Sequence, residues 1–169
     1  HLPTATILPE LAARTVTLLA PSKTYNLPGL CCACAIISDN KLRQRFKAQM
    51  RGIMPEMNSY GYAGCQAAYT HGEQWRLELI DYLRGNRDLL ESYVADQLPN
   101  IRMTHVEATY LAWLDVRDSG IENPMKFFED AGVGLSDGRE FGSEGFMRLN
   151  FGCPRATLTE GLDRMRAAL

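Results

Sequence analysis

The feature that most constrains this chain is a long amphipathic stretch, Glu73–Leu98. Trp75, Leu79, Leu83, Leu90 and Val94 recur along it at helical spacing, and Pro99 closes it. A helix of this length cannot bury its apolar stripe alone, so what flanks it must supply the surfaces. Before it lie two short apolar runs, Thr15–Leu19 and Leu30–Ile37, rich in small and branched residues as buried strands are. After it, Ile101–Met103, Tyr110–Asp115, Val133–Leu135 and Phe146–Phe151 read as strands, with a glycine-rich loop at Ser136–Gly145 between the last two. Asn123 with Pro124 starts a helix running to about Ala131, and Pro154 leads into a last helix to Leu169. Two shorter helices are expected at Lys41–Met50, capped by Asp39 or Asn40, and at Tyr60–Tyr69, capped by Ser59. Gly85 inside the long helix costs about 1 kcal/mol relative to Ala and marks a possible bend.

The pattern predicts an α/β protein in two parts, 1–90 and 91–169, with the boundary inside the long helix near Leu90. The second part, with its strands and two helices, is a small α+β unit. At 169 residues the chain is long enough for one or two small cores. A net charge of −2 gives no electrostatic case for nucleic acid or an anionic membrane. No apolar run approaches the length of a membrane span. Cys31, Cys32, Cys34, Cys65 and Cys153 are odd in number and clustered, unlike a disulfide framework. They lack partners at zinc spacing, so no metal site is expected. Cys31, Cys32 and Cys34 are expected to be buried small hydrophobes, and the cytoplasm is the natural compartment.

Two segments carry chemistry. In Ser22-Lys23-Thr24-Tyr25-Asn26-Leu27-Pro28-Gly29-Leu30 a lysine sits in a turn between two apolar runs. Partial desolvation there would free its amine as a nucleophile toward a carbonyl, although most single lysines are merely solvated. In Phe146-Met147-Arg148-Leu149-Asn150-Phe151-Gly152-Cys153-Pro154-Arg155 an arginine lies within an apolar strand. Its charge cannot be shed, so it needs an anion, and its planar fork matches a carboxylate. An internal acidic side chain is the bland candidate for that anion. His71 and His105 have no partner at meaningful spacing and read as surface loop residues.

These motifs, read in order, resemble fold-type I pyridoxal-phosphate (PLP) enzymes of the class I/II aminotransferase superfamily. Within it they look most like the MalY/PatB-type cystathionine β-lyases, the carbon–sulfur lyase branch. Further likenesses are Glu107–Asp115, Gly132–Gly138, Phe141-Gly142 and the interdomain helix segment Tyr82–Asp88. Asn58–Tyr62 matches a region near the dimer interface. The resemblance implies that Lys23 holds PLP covalently and then moves the substrate's α-proton. It implies that Ser22 hydrogen-bonds the cofactor phosphate and that Arg148 grips the substrate's α-carboxylate; Arg155 reads as structural. The aminotransferase branch often carries a serine three residues before the lysine and an arginine eight after it. In this chain Ala20 and Cys31 stand at those places, which weakens an ordinary aspartate-aminotransferase assignment and is tolerable in the lyase branch.

The resemblance further implies that this is the C-terminal part of such an enzyme, a remnant of the large PLP domain plus a complete small domain. The residues expected upstream to cradle the phosphate, stack on the pyridine and pair with its nitrogen cannot be located. Such a remnant should expose apolar surface and strand edges from what was a large parallel sheet. The full-length parent is therefore expected to be a homodimeric β-eliminating lyase acting on a small amino acid, and the 169 residues alone inactive. An aminotransferase is the enzymatic alternative, and a noncatalytic association module the alternative of another class.

Overall fold

The computed structural model describes residues 2–169. The chain divides into two compact units, His1–Glu78 and Leu79–Leu169. The division falls earlier than the 90/91 boundary expected from sequence. Leu83, Leu89 and Leu90 already pack into the core of the second unit.

The first unit opens with a short helix α1, Thr4–Ile7, and a 3-10 turn, Pro9–Arg14. Strand β1, Thr17–Leu19, is followed by the one-turn helix α2, Pro21–Thr24, a 3-10 turn at Pro28–Leu30, and β2, Cys34–Ile36. The two strands pair antiparallel, Thr17 opposite Ile36 and Leu19 opposite Cys34, rather than as part of a parallel sheet. Helix α3, Asn40–Met50, begins where Asp39 accepts from the Leu42 amide. Helix α4, Ser59–His71, is capped by Asn58, one residue before the expected Ser59, through its acceptance from the Gly61 amide at 2.7 Å.

The two apolar runs do form strands, but the strands are not buried as expected. Leu18 is 69% and Ile36 57% exposed. Cys31 and Cys34 are likewise exposed, and only Cys32 of the cluster is buried. A covering layer is what an isolated two-stranded ribbon lacks.

Helix α5, Glu73–Gln97, runs unbroken past Gly85, so the expected bend is not there. The second unit holds most of it, with an antiparallel sheet in the order β3-β4-β6-β5. These strands are β3 (Arg102–Met103), β4 (Leu111–Asp115), β5 (Ser136–Asp137) and β6 (Phe146–Asn150). Helix α6, Pro124–Asp130, starts as expected with Asn123 as cap and Pro124 first. Helix α7, Arg155–Ala168, ends the chain. The short strand expected at Val133–Leu135 lies one step later, at Ser136–Asp137, inside what reads in sequence as a glycine-rich loop.

Alternation explains the sheet's two faces. On β4 and β6, Ala112, Leu114, Met147 and Leu149 point inward and are buried. They meet Leu90 and Val94 of α5, Phe128 of α6, and Leu158, Leu162 and Met165 of α7. Each fully buried Leu or Phe contributes about 1.5–3 kcal/mol, so the second unit has its own source of stability. The alternate positions, Trp113, Phe146 and Arg148, are half-buried on the opposite face. No helix among the described residues is long and apolar enough to cross a membrane.

Candidate active site

Lys23 sits in the last turn of α2. Pro21 is fully buried beneath it, and the Pro21 and Ser22 carbonyls accept from the Tyr25 and Leu27 amides at 2.8 and 2.9 Å. Asn26, at φ 54°, turns the chain back. Tyr25 anchors the turn by meeting Tyr69 edge-on, with ring centres 5.6 Å apart, and Trp75 at 6.4 Å. The following 3-10 turn can approach α4 because Gly61 and Gly64 have no side chains. A Cβ on Gly61 would lie 2.8 Å from the Leu30 carbonyl oxygen, and one on Gly64 2.3 Å from a Leu30 methyl.

The turn is thus well held, but Lys23 itself is exposed, against the expectation of partial desolvation. Its short flanking strands leave it open to solvent. Ser22 is half-buried. Residues that would hold PLP must offer a free amine and a hydroxyl for its phosphate. Among the described residues neither the Lys23 amine nor the Ser22 hydroxyl has a side-chain partner, and both stand on one rigid turn, so they fit that task. Nearby Cys32 does not compete as a nucleophile. Burial, aided by Cys65, pushes its thiol up to about 11, which keeps it protonated.

Arg148 lies at the middle of β6, opposite Trp113 of β4 and Ser136 of β5. Among the described residues no acidic side chain pairs with it, so the bland reading of an internal ion pair does not hold. Its Nη2 donates to Ser136 Oγ at 3.0 Å, and its guanidinium lies 4.4 Å from the centre of the Phe141 ring. Asp137, next to Ser136, is taken by Arg139, which donates to it from Nε at 2.9 Å and Nη2 at 2.6 Å. Those bonds hold its carboxyl below the usual carboxylate range. Asp115 is taken in the same way by Arg117, whose Nε and Nη2 donate at 2.9 and 2.8 Å. Each acid near Arg148 along the sheet therefore has its own arginine. Among the described residues one of Arg148's five donors is used, leaving a cation on a half-open face able to take a carboxylate.

Arg155 behaves as a structural residue. Its amide donates to Tyr82 Oη at 2.7 Å, its Nε donates to Asn86 Oδ1 at 3.1 Å, and its guanidinium lies 5.0 Å from the centre of the Tyr82 ring. Gly85 makes room for it, since a Cβ there would lie 2.6 Å from Nη2. Asn86, fully buried, also donates to the Phe151 and Cys153 carbonyls at 3.0 and 2.9 Å. The loop after β6 is so clamped onto α5. His105, unpartnered by sequence spacing, meets Glu91 at 2.9 Å, and His71 is exposed at the end of α4. Ser136, Phe141 and Asn86 do not stand out as site residues in the sequence. The signal for them is their place in Gly132–Gly138, Phe141-Gly142 and Tyr82–Asp88, segments that resemble the family without marking single residues.

A cleft of about 440 Å³ in the second unit, lined by Leu135, Leu149, Cys153 and Leu158 among others, does not include Arg148. It lies on the helix side of the sheet and has no charged group unpaired.

The family model described as "Aminotransferase class I and II" matches residues 5–165, so this chain belongs to that family. Cystathionine β-lyase PatB of Bacillus subtilis (strain 168) is 38% identical over 175 residues, covering 100% of this chain and 45% of PatB. The crystal structure of OvoB is 41% identical with a TM-score of 0.96, covering 100% of this chain and 44% of that one. Cystalysin from Treponema denticola, whose crystal structure contains PLP, is 28% identical with a TM-score of 0.93, covering 99% of this chain and 44% of that one. The chain spans a little under half the length of these relatives.

Proposed function

We propose that the full-length protein is a PLP-dependent carbon–sulfur lyase of the cystathionine β-lyase type. The observation that carries this reading is Arg148, a half-buried cation without an internal acid, on the open face of a sheet whose other face is closed by helices. The names of PatB and cystalysin's bound PLP support it, together with Lys23 and Ser22 on one rigid turn. The substrate class is a small amino acid bearing a β-sulfur, and a homodimer in the cytoplasm is the working form. The first turn of α4 carries exposed Tyr60 and Tyr62, which fit a place near the dimer interface. Residues 1–78 serve as the remnant of the cofactor domain, and 79–169 as the small domain.

PLP, when bound, supplies the electron sink for the bonds at the substrate's α-carbon. Lys23 would hold the cofactor through Nζ, and its free amine would take the substrate's α-proton. Ser22 Oγ donates to the cofactor phosphate. Arg148 binds the α-carboxylate with paired N–H groups, which fixes how the α-carbon is presented. The net reaction on cystathionine consumes one water and yields homocysteine, pyruvate and ammonia. Residues 1–169 span under half the length of these relatives, so on their own they are expected to be inactive and to bind PLP weakly.

The family model's own description favours one second reading, an aminotransferase with the same roles for Lys23, Ser22 and Arg148. The test is the full-length protein with PLP and L-cystathionine. Pyruvate and thiol released in equal amounts without any added 2-oxo acid acceptor is the expected result. Turnover only with a 2-oxo acid acceptor establishes the aminotransferase. No turnover under either condition, with a folded protein, overturns both in favour of a noncatalytic association module.

A further inference from the structure

The segment Ser136–Phe141 lies in what reads in sequence as a glycine-rich loop, Ser136–Gly145, yet it supplies the hydroxyl and the ring that meet the Arg148 guanidinium. Ser136 Oγ accepts from Nη2 at 3.0 Å, and Phe141 lays its ring 4.4 Å from the guanidinium. The segment is built to present those two groups at a fixed distance. Asp137 Oδ1 accepts from the Arg139 amide at 2.9 Å and starts a tight 3-10 turn, Gly138–Phe141. Only glycine fits at 138, where a Cβ would stand 2.2 Å from the Ser143 carbonyl oxygen and 2.5 Å from that of Phe146. Gly142, at φ 76°, closes the turn. Behind Phe141 stands Trp113, edge-on at 5.8 Å, which is itself stacked on Phe146 at 6.0 Å. The ring over Arg148 is thus backed by a second ring on the strand opposite.

We infer that Ser136 and Phe141 are positioning residues that hold the Arg148 guanidinium in the plane and rotation at which its remaining N–H groups meet a substrate carboxylate. This rests on the carboxylate role proposed for Arg148. An arginine side chain loses much rotamer freedom on binding, and a guanidinium already clamped between a ring and a hydroxyl loses less at that moment. A stacked ring also leaves the in-plane donors free, whereas an acidic partner would occupy them. The segment therefore restrains the cation without neutralising it.

A double-mutant cycle in the full-length protein tests this, with L-cystathionine as substrate. Phe141→Leu is expected to raise KM about two- to five-fold, the scale of an exposed cation–π contact, with kcat nearly unchanged. Phe141→Trp should restore KM, and Ser136→Ala should move it in the same direction as Phe141→Leu with the fold intact by circular dichroism. In an Arg148→Met background Phe141→Leu should add nothing further. An equal Phe141→Leu effect in both backgrounds makes Phe141 a packing residue and overturns the inference alone. If Arg148→Met leaves kcat/KM intact, the carboxylate reading fails and the inference with it. Independently of turnover, propionate titrated into the 169-residue chain should shift the Arg148 Nε–H resonance, with weaker saturation in Phe141→Leu. No shift in the unsubstituted chain overturns the carboxylate reading, and identical saturation in the two chains overturns the inference.

Discussion

Arg148 shows how much one residue can imply when its charge cannot be removed. A lysine could lose its proton inside a sheet; a guanidinium keeps its charge and must be solvated, paired or reserved for a ligand. Asp115 and Asp137 on the sheet are each taken by another arginine, which leaves solvent or a ligand, the latter being the role proposed for it. Arg148→Lys replaces the planar fork with a point charge and should lower kcat/KM about 10–100-fold, from a loss of about 1.5–3 kcal/mol for a charged hydrogen bond. PLP binding should be unaffected, and steady-state kinetics beside the cofactor's absorbance would separate the two. Asp115 illustrates the opposite case of a charge fully answered. Side-chain bonds from Arg117, with a further bond from the Arg117 amide, bring its carboxyl down to about 2 although burial works the other way. A depressed carboxyl stabilises the fold above its unfolded value of about 3.9, and that contribution is lost as pH falls through about 2. Chemical denaturation between pH 5 and pH 2 should therefore show a falling stability whose slope is shallower in Arg117→Met. An identical slope in that variant would place the acid sensitivity elsewhere.

Elements with local signals are legible in the sequence, and elements defined by distant partners are not. Helices α3, α5, α6 and α7 follow from apolar spacing, Asp39, Asn123-Pro124 and Pro154, all of which act within a few residues. The strands of the first unit are recognisable, but not their exposure, because an apolar run records its own preference and says nothing of what covers it. β5 escapes for a related reason: two residues long, it exists only through pairing with Arg148 and Met147 of β6. Lys23 and Arg148 stand out by sequence context, whereas Ser136 and Phe141 gain meaning only once the sheet brings them to Arg148. Asn86 is similar, an ordinary helix residue in sequence and a three-way clamp in the fold. Asn86→Leu would remove both donors to the Phe151 and Cys153 carbonyls and the acceptor for Arg155. An unsatisfied buried polar group costs about 1–3 kcal/mol, so a loss of about 2–4 kcal/mol is expected in urea denaturation. A change under about 0.5 kcal/mol, the scale of an ordinary surface substitution, would show that the loop after β6 is held by packing alone.

At the scale of the molecule the two units differ in what holds them. The second has a sheet closed by three helices. The first buries little beyond Pro21, Cys32, Ile37, Gly61 and Ala68, and it leaves Leu18, Ile36, Ile53 and Tyr60 open. Amide hydrogen exchange on the 169-residue chain should therefore be slowest in β4, β6 and α7 and fast in β1 and β2. Uniform protection across both units would contradict that ranking. The lysine assigned to the cofactor lies in the less protected unit, on a turn whose backbone bonds and aromatic contacts are nevertheless complete. Lys23 on this turn is the residue proposed to hold PLP. The full-length protein saturated with PLP, reduced with borohydride and digested, should carry the pyridoxyl group on the peptide containing Lys23. A label on any other lysine, or none after saturation, would contradict the account.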